Sequence, residues 1–130
     1  MSRPAVYILN TSDDIVEMLR ITLERAGFAV ASGFIDDLQR GHLDLAQQFE
    51  LHRPSVVLFD VSMPYDRRWG VLQRLRENPI ADGLRFVLTS TNVHRLRQAV
   101  DTEEPVLELA GEEDDLASIA AAVRAAVSAA

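Results

Sequence analysis

Five short runs of apolar residues, at positions 5–9, 28–31, 56–59, 86–88 and 105–107, divide this chain of 130 residues. The runs are continuous rather than alternating, which is the pattern of strands buried on both faces. Between them the apolar residues change period. Ile15, Met18, Leu19, Thr22, Leu23 and Ala26 fall at helical spacing and form one stripe. Ser12 stands before that stripe as an N-cap, Asp13 and Asp14 occupy its positive end, and Gly27 closes it. Leu116, Ile119, Ala120, Val123 and Val127 repeat the pattern near the C-terminus. Strands that alternate with helices imply βαβ units and a parallel sheet covered on both faces. Five repeats predict a flavodoxin-like, doubly wound α/β fold with strand order 2-1-3-4-5, in a single domain over residues 1–130.

Charge and residue usage narrow the function. The net charge is −7, which argues against direct nucleic-acid binding, since that rests on neutralising phosphates with basic side chains. All 13 basic residues counted as Lys+Arg are arginines, so no mechanism here can use a side-chain ammonium. No apolar stretch approaches the roughly 20 residues of a membrane span, and no basic-then-apolar leader opens the chain. The chain has no cysteine, which fits a reducing compartment but is itself silent about redox, and a cytoplasmic location is expected. His42, His52 and His94 show no ligand or triad spacing, and no glycine-rich phosphate loop is present. The acidic run 112–115 reads as the first turn of the last helix.

In a sheet of this order, function gathers at the carboxyl ends of the strands, beside the switch point between the first and third. The residues placed there are Asn10 and Thr11, Asp60, Thr89, and Glu108 with Leu109.

At this point the chain resembles the receiver domains of bacterial two-component response regulators, over nearly its whole length. Leu58-Phe59-Asp60-Val61-Ser62-Met63-Pro64 is similar to the family's phosphoacceptor motif. Val87-Leu88-Thr89-Ser90 is similar to its switch motif, and Leu23-Glu24-Arg25-Ala26-Gly27-Phe28 to the end of its first helix. The resemblance implies that Asp60 is the phosphoacceptor position and Thr89 the switch position. It also implies an acidic pair holding Mg²⁺ and a lysine paired with the phosphoryl oxygens, because phosphoryl transfer is catalysed by positioning and charge neutralisation.

Carried over residue by residue, half of that set is missing. Asn10 and Thr11 stand where the acidic pair would be, Leu109 replaces the lysine, Ala110 the proline after it, and Val106 the aromatic switch. A cis bond before Ala110 would cost about 2.5–4 kcal/mol, so that peptide is expected to be trans. Promoting Asp13 and Asp14 to the acidic pair would drag Asn10-Thr11-Ser12 into the sheet and shorten the first helix. With the neutral Asn10 and Thr11 in place of the acidic pair, the site is expected to bind no metal, Asp60 being only a weak remnant of one.

Two stretches exceed the family's usual length. One is residues 34–41 (FIDDLQRG), and the other lies after the motif, where Tyr65, Asp66, Arg67, Arg68 and Trp69 separate Pro64 from Gly70. Tyr65, Arg67, Arg68 and Trp69 are of types enriched at binding hot spots and are candidate interaction residues on a loop overhanging the edge. The plainer reading packs Trp69 at the start of the third helix and leaves Arg67 and Arg68 solvated. An arginine folded back over Asp60 would instead replace part of the missing lysine or hold Asp60 in an ion pair.

The expected function is that of a stand-alone, non-enzymatic receiver-like signalling domain, a phosphorylation-independent pseudo-receiver without cofactor. Its partner is expected to be a protein, a histidine kinase or a downstream regulator, and the chain itself a monomer or weak homodimer. The alternative is a single-domain response regulator that accepts phosphate on Asp60 from a histidine kinase, with Mg²⁺ as cofactor. A small hydrolase using Asp60 ranks last, for want of a second carboxylate.

Overall fold

The computed structural model describes residues 3–129, so residues 1, 2 and 130 of the expected domain lie outside the described residues. The order is β1 Ala5–Asn10, α1 Asp13–Arg25, β2 Ala29–Phe34, α2 Ile35–Gln39, α3 Leu45–His52, β3 Val56–Asp60 and α4 Tyr65–Glu77. A 3-10 turn at Pro79–Ala81 leads into β4 Arg85–Ser90, then α5 Val93–Ala99, β5 Leu107–Glu108 and α6 Glu113–Ser128. The five strands form one parallel sheet in the order β2-β1-β3-β4-β5, as the spacing predicts.

Alternate residues of the buried strands divide between two cores, because successive side chains point to opposite faces. Val6, Ile8, Val56, Leu58 and Val87 meet Val16, Leu19 and Leu23 of α1 and Ile119 and Val123 of α6. Tyr7, Leu9, Val57, Phe59 and Leu88 meet Phe49 of α3, Leu72 and Leu75 of α4 and Leu96 of α5. No helix among the described residues is long and apolar enough to cross a membrane.

Several boundaries differ from the sequence expectation, for local reasons. β1, β3 and β4 run on to Asn10, Asp60 and Ser90, which carries the polar strand-end residues into the hydrogen-bonded ladder. β5 begins at Leu107 rather than at Pro105, since proline has no N–H to give a ladder. β2 extends through Gly33 and Phe34. A Cβ on Gly33 would lie 2.8 Å from the Tyr7 hydroxyl and 2.7 Å from a Leu43 methyl, so a larger residue there would have to displace its neighbours. The buried Tyr7 hydroxyl donates to Gln48 Oε1 of α3 at 3.0 Å, and its ring meets Phe49 edge-on at 5.4 Å.

The largest revision concerns the two long stretches. Residues 35–39 form the extra helix α2 directly after β2, and the stretch after Pro64 is not a loop, because α4 already starts at Tyr65. The Met63–Pro64 peptide is cis, and the peptide before Ala110 is trans as expected.

Candidate functional site

Asp60, the last residue of β3, and Thr89, the next-to-last of β4, share one rung of the ladder, and this register presses their side chains together. The Thr89 hydroxyl donates to Asp60 Oδ1 at 2.8 Å. Asp60 is 2% exposed and Thr89 fully buried. Burial pushes the Asp60 carboxyl up from 3.8 to about 6, while hydrogen bonding from Thr89, the Ser62 hydroxyl and the charge of Arg68 pull it down less strongly. Ser62 Oγ sits close enough to favour the charged carboxylate, yet it lacks a partner in good hydrogen-bond geometry. The aspartate at this position is therefore enclosed, and its burial outweighs the hydrogen bonds and charge that favour the carboxylate.

Asn10 is equally buried. Its Oδ1 accepts from the backbone N–H of Thr11 at 2.7 Å and of Ser12 at 3.2 Å, turning the chain from β1 into α1. Ser12 Oγ in turn accepts from the Ile15 N–H, and Asp13 and Asp14 are exposed in the first turn of α1. Those two carboxylates therefore complement the helix end and do not replace the acidic pair. Leu109 is 2% exposed and packs into the α1–α6 core. With Ile15, Met18 and Ala110 it lines a recess of about 290 Å³ at the same edge, apolar where the resemblance implies an ammonium. Val106 is half-buried against the other core.

The donor set does not fit Mg²⁺. That ion wants near-octahedral oxygen ligands including one or two carboxylates. Here the amide oxygen of Asn10 is committed to two backbone donors and Thr11 is neutral. Asp60 Oδ1 is committed to Thr89. No group of three His, Cys, Asp or Glu side chains able to hold a metal occurs among the described residues.

The four candidate interaction residues separate. Arg67 and Met63, the latter 64% exposed, face solvent. Tyr65 and Trp69 are half-buried against the α3–α4 core, and the Arg76 guanidinium lies 5.7 Å from the Trp69 ring. Arg76 also makes a two-pronged ion pair with Glu104, so Trp69 belongs to the packing between α4 and the segment before β5. Arg68 corrects the expectation of a solvated side chain. It is 8% exposed, donates to Asp36 Oδ1 at 2.9 Å and forms a second hydrogen bond with Gln39 Oε1. Neither proposed fold-back onto Asp60 occurs as a contact. Arg68 acts on Asp60 only through space, while its fork is tied to the extra helix.

Sequence reasoning missed Asp36, Gln39 and Ser62. Asp36 and Gln39 stand three apart inside the overlong 34–41 stretch, the spacing that puts two side chains on one helix face. Glu108, placed at the edge by the sequence, accepts from the Val93 N–H at 3.1 Å and so caps α5.

No family model matches the chain, and no curated protein matches it by sequence. Solved structures match it by shape. A sensor protein from Polaromonas sp. JS666 superposes with a TM-score of 0.74 at 17% identity, covering 97% of both chains. A response regulator from Thermotoga maritima gives 0.70 at 16% identity, covering 97% of this chain and 98% of its own. The chemotaxis response regulator CheY4 of Vibrio cholerae gives 0.65 at 20% identity, with 94% and 99% covered.

Proposed function

From the premise that this chain has the fold of response regulator receiver domains, we propose that it is a phosphorylation-independent signalling module that works by protein–protein contact. The observation that carries this reading is the enclosure of Asp60, 2% exposed with one oxygen held by Thr89. An aspartate that accepts a phosphoryl group must reach the donor, and cations must offset the charge on the equatorial oxygens. Around Asp60 the metal-binding pair is replaced by a spent amide and a hydroxyl, and the lysine by a buried leucine. Arg68, the cation in electrostatic reach, is engaged by Asp36 and Gln39. Loss of one electrostatic element of this kind commonly costs about 10²–10³ in rate, and two are lost.

The partner on this reading is a protein of a signalling pathway, a histidine kinase or a downstream regulator. The second reading, a phosphorylatable single-domain response regulator, is favoured by one observation, the direct Thr89–Asp60 contact on a shared rung. Incubation with acetyl phosphate and Mg²⁺, followed by intact mass, separates the two. The expected result is no phosphoryl adduct over minutes, and an Asp60→Asn variant that pulls down the same partner as the parent. A stoichiometric adduct that disappears in Asp60→Asn would establish the second reading.

A further inference from the structure

The extra helix α2 does more than hold Arg68. With the segment that follows it, α2 walls one side of an open groove of about 440 Å³, whose other side is α4 and the 3-10 turn. That volume is in the range of small-molecule sites, which are mostly apolar with a few convergent polar groups. Leu38, Leu43 and Leu45 supply one apolar wall, and Val71, Leu75 and Ile80 the other.

The polar groups of the lining are unequally spent. Every acceptor-bearing side chain already serves the protein: Gln39 Oε1 accepts from Arg68, Asn78 Oδ1 from the Ile80 N–H, and Asp44 Oδ1 from the Gln47 N–H. The donors remain available. The amide nitrogens of Gln39 and Asn78 make no hydrogen bond among the described residues, and both side chains reach solvent. The Arg74 guanidinium is exposed and lies back along α4 over Gly70, with no carboxylate within ion-pair distance among the described residues. An occupant must therefore bring an apolar body and an acceptor-rich, anionic head.

We propose that this groove binds a small amphipathic monocarboxylate, its tail or ring between the leucine wall and Val71–Leu75–Ile80, its head on Arg74. Asp44 is the acidic residue of the lining and, as the N-cap of α3, is fixed in place. Its charge disfavours the head at that end and so sets the polarity of the bound ligand. The site lies on a different flank from Asp60 and does not depend on whether Asp60 accepts phosphate.

The test is an NMR titration of the full chain with octanoate, alongside octylamine and octanol as probes of the same length. Octanoate is expected to give saturable methyl shifts at Leu38, Leu43, Leu75 and Ile80, with a dissociation constant of about 1 mM or below. Octylamine and octanol are expected to bind at least about threefold more weakly. Arg74→Gln is expected to weaken octanoate about three- to tenfold. Asp44→Asn keeps the cap and removes the charge, so it is expected to tighten octanoate about twofold. Both positions are exposed, and unchanged melting temperatures confirm that the variants fold. Absence of saturable shifts, equal binding of octylamine, or indifference to Arg74→Gln would each overturn the proposal. So would binding only of a short acidic peptide with leucine side chains, which would make the groove a peptide dock.

Discussion

At the carboxyl edge of the sheet, Asn10 gives its oxygen to two backbone N–H groups, Asp60 takes the Thr89 hydroxyl and Leu109 is buried. On the flank between α2–α3 and α4, Arg74 and the amide nitrogens of Gln39 and Asn78 keep their donors unspent. A polar group satisfied inside the protein offers a ligand little, because the ligand must first break that bond. Of these groups, those with unspent donors lie on the flank that the extra helix builds. Arg68 joins the two regions, its charge felt at Asp60 and its hydrogen bonds given to α2.

The largest effect expected at the edge is on stability. The Asp60 carboxyl is raised from 3.8 to about 6, so the folded state favours its neutral form. The stability linked to that proton is fully present below pH 3.8 and is lost as the pH rises through about 6. Over that window the loss amounts to about 3 kcal/mol. Asp60→Asn keeps an oxygen for the Thr89 hydroxyl and removes the charge. It is expected to match the parent near pH 3.5 and to exceed it by about 3 kcal/mol at pH 8, read as the difference between two urea-unfolding series. A variant less stable than the parent at pH 8 would mean that Asp60 is better solvated than its burial indicates.

Cutting the link between the regions comes next. Arg68→Ala removes the hydrogen bonds to Asp36 and Gln39, but Asp36 is half exposed and can turn to water. The expected cost is therefore about 2 kcal/mol, below that of a fully buried pair. Arg68 lowers the Asp60 carboxyl, so the variant should also titrate Asp60 above its present position of about 6. Carbon-13 NMR of the Asp60 carboxyl reads this directly. Arg68→Lys should not restore stability, because an ammonium cannot make the two-pronged contact.

The flank is also sensitive through β2. In Gly33→Ala the added Cβ would sit under 3 Å from Tyr7 and Leu43. The Leu43 methyl can move, but the Tyr7 hydroxyl is held by Gln48. A loss of about 1–2 kcal/mol is expected, with thermal unfolding as the readout. Perturbed methyl signals from Leu43 would show that the groove wall has shifted with it.

These two regions were not equally legible in the sequence. The strand order and the Asp60–Thr89 pair were, because continuous apolar runs mark buried strands and the edge position follows from strand ends. The course of residues 34–41 was not. Ile35–Gln39 is only five residues long, too short for a periodic signal and marginal as a helix without its packing. The destination of Arg68 depended on that segment, since an arginine beside aspartates reads as solvated until a partner is brought within reach. β5 was read too early because Val106 looks like strand, whereas Pro105 and the register from Thr89 to Leu107 decide its start.

The smallest effect expected concerns Glu108, which sharpens the edge's description as structural. Its carboxylate lies 3.1 Å from the Val93 N–H at the start of α5, beside the Asn92 cap whose side chain accepts from the Arg95 N–H. A negative charge at this end of a helix contributes about 0.3–1 kcal/mol at low salt. Glu108→Gln keeps an acceptor and loses only the charge, so about 0.5 kcal/mol of destabilisation is expected, shrinking as salt screens the exposed site. Glu108→Ala also removes the acceptor and should cost about 1 kcal/mol. Chemical denaturation at low and at roughly molar salt separates the two contributions. If Mg²⁺ raised the melting temperature of the parent and this gain vanished in Glu108→Gln, Glu108 would be a metal ligand rather than a cap, and the edge would not be closed.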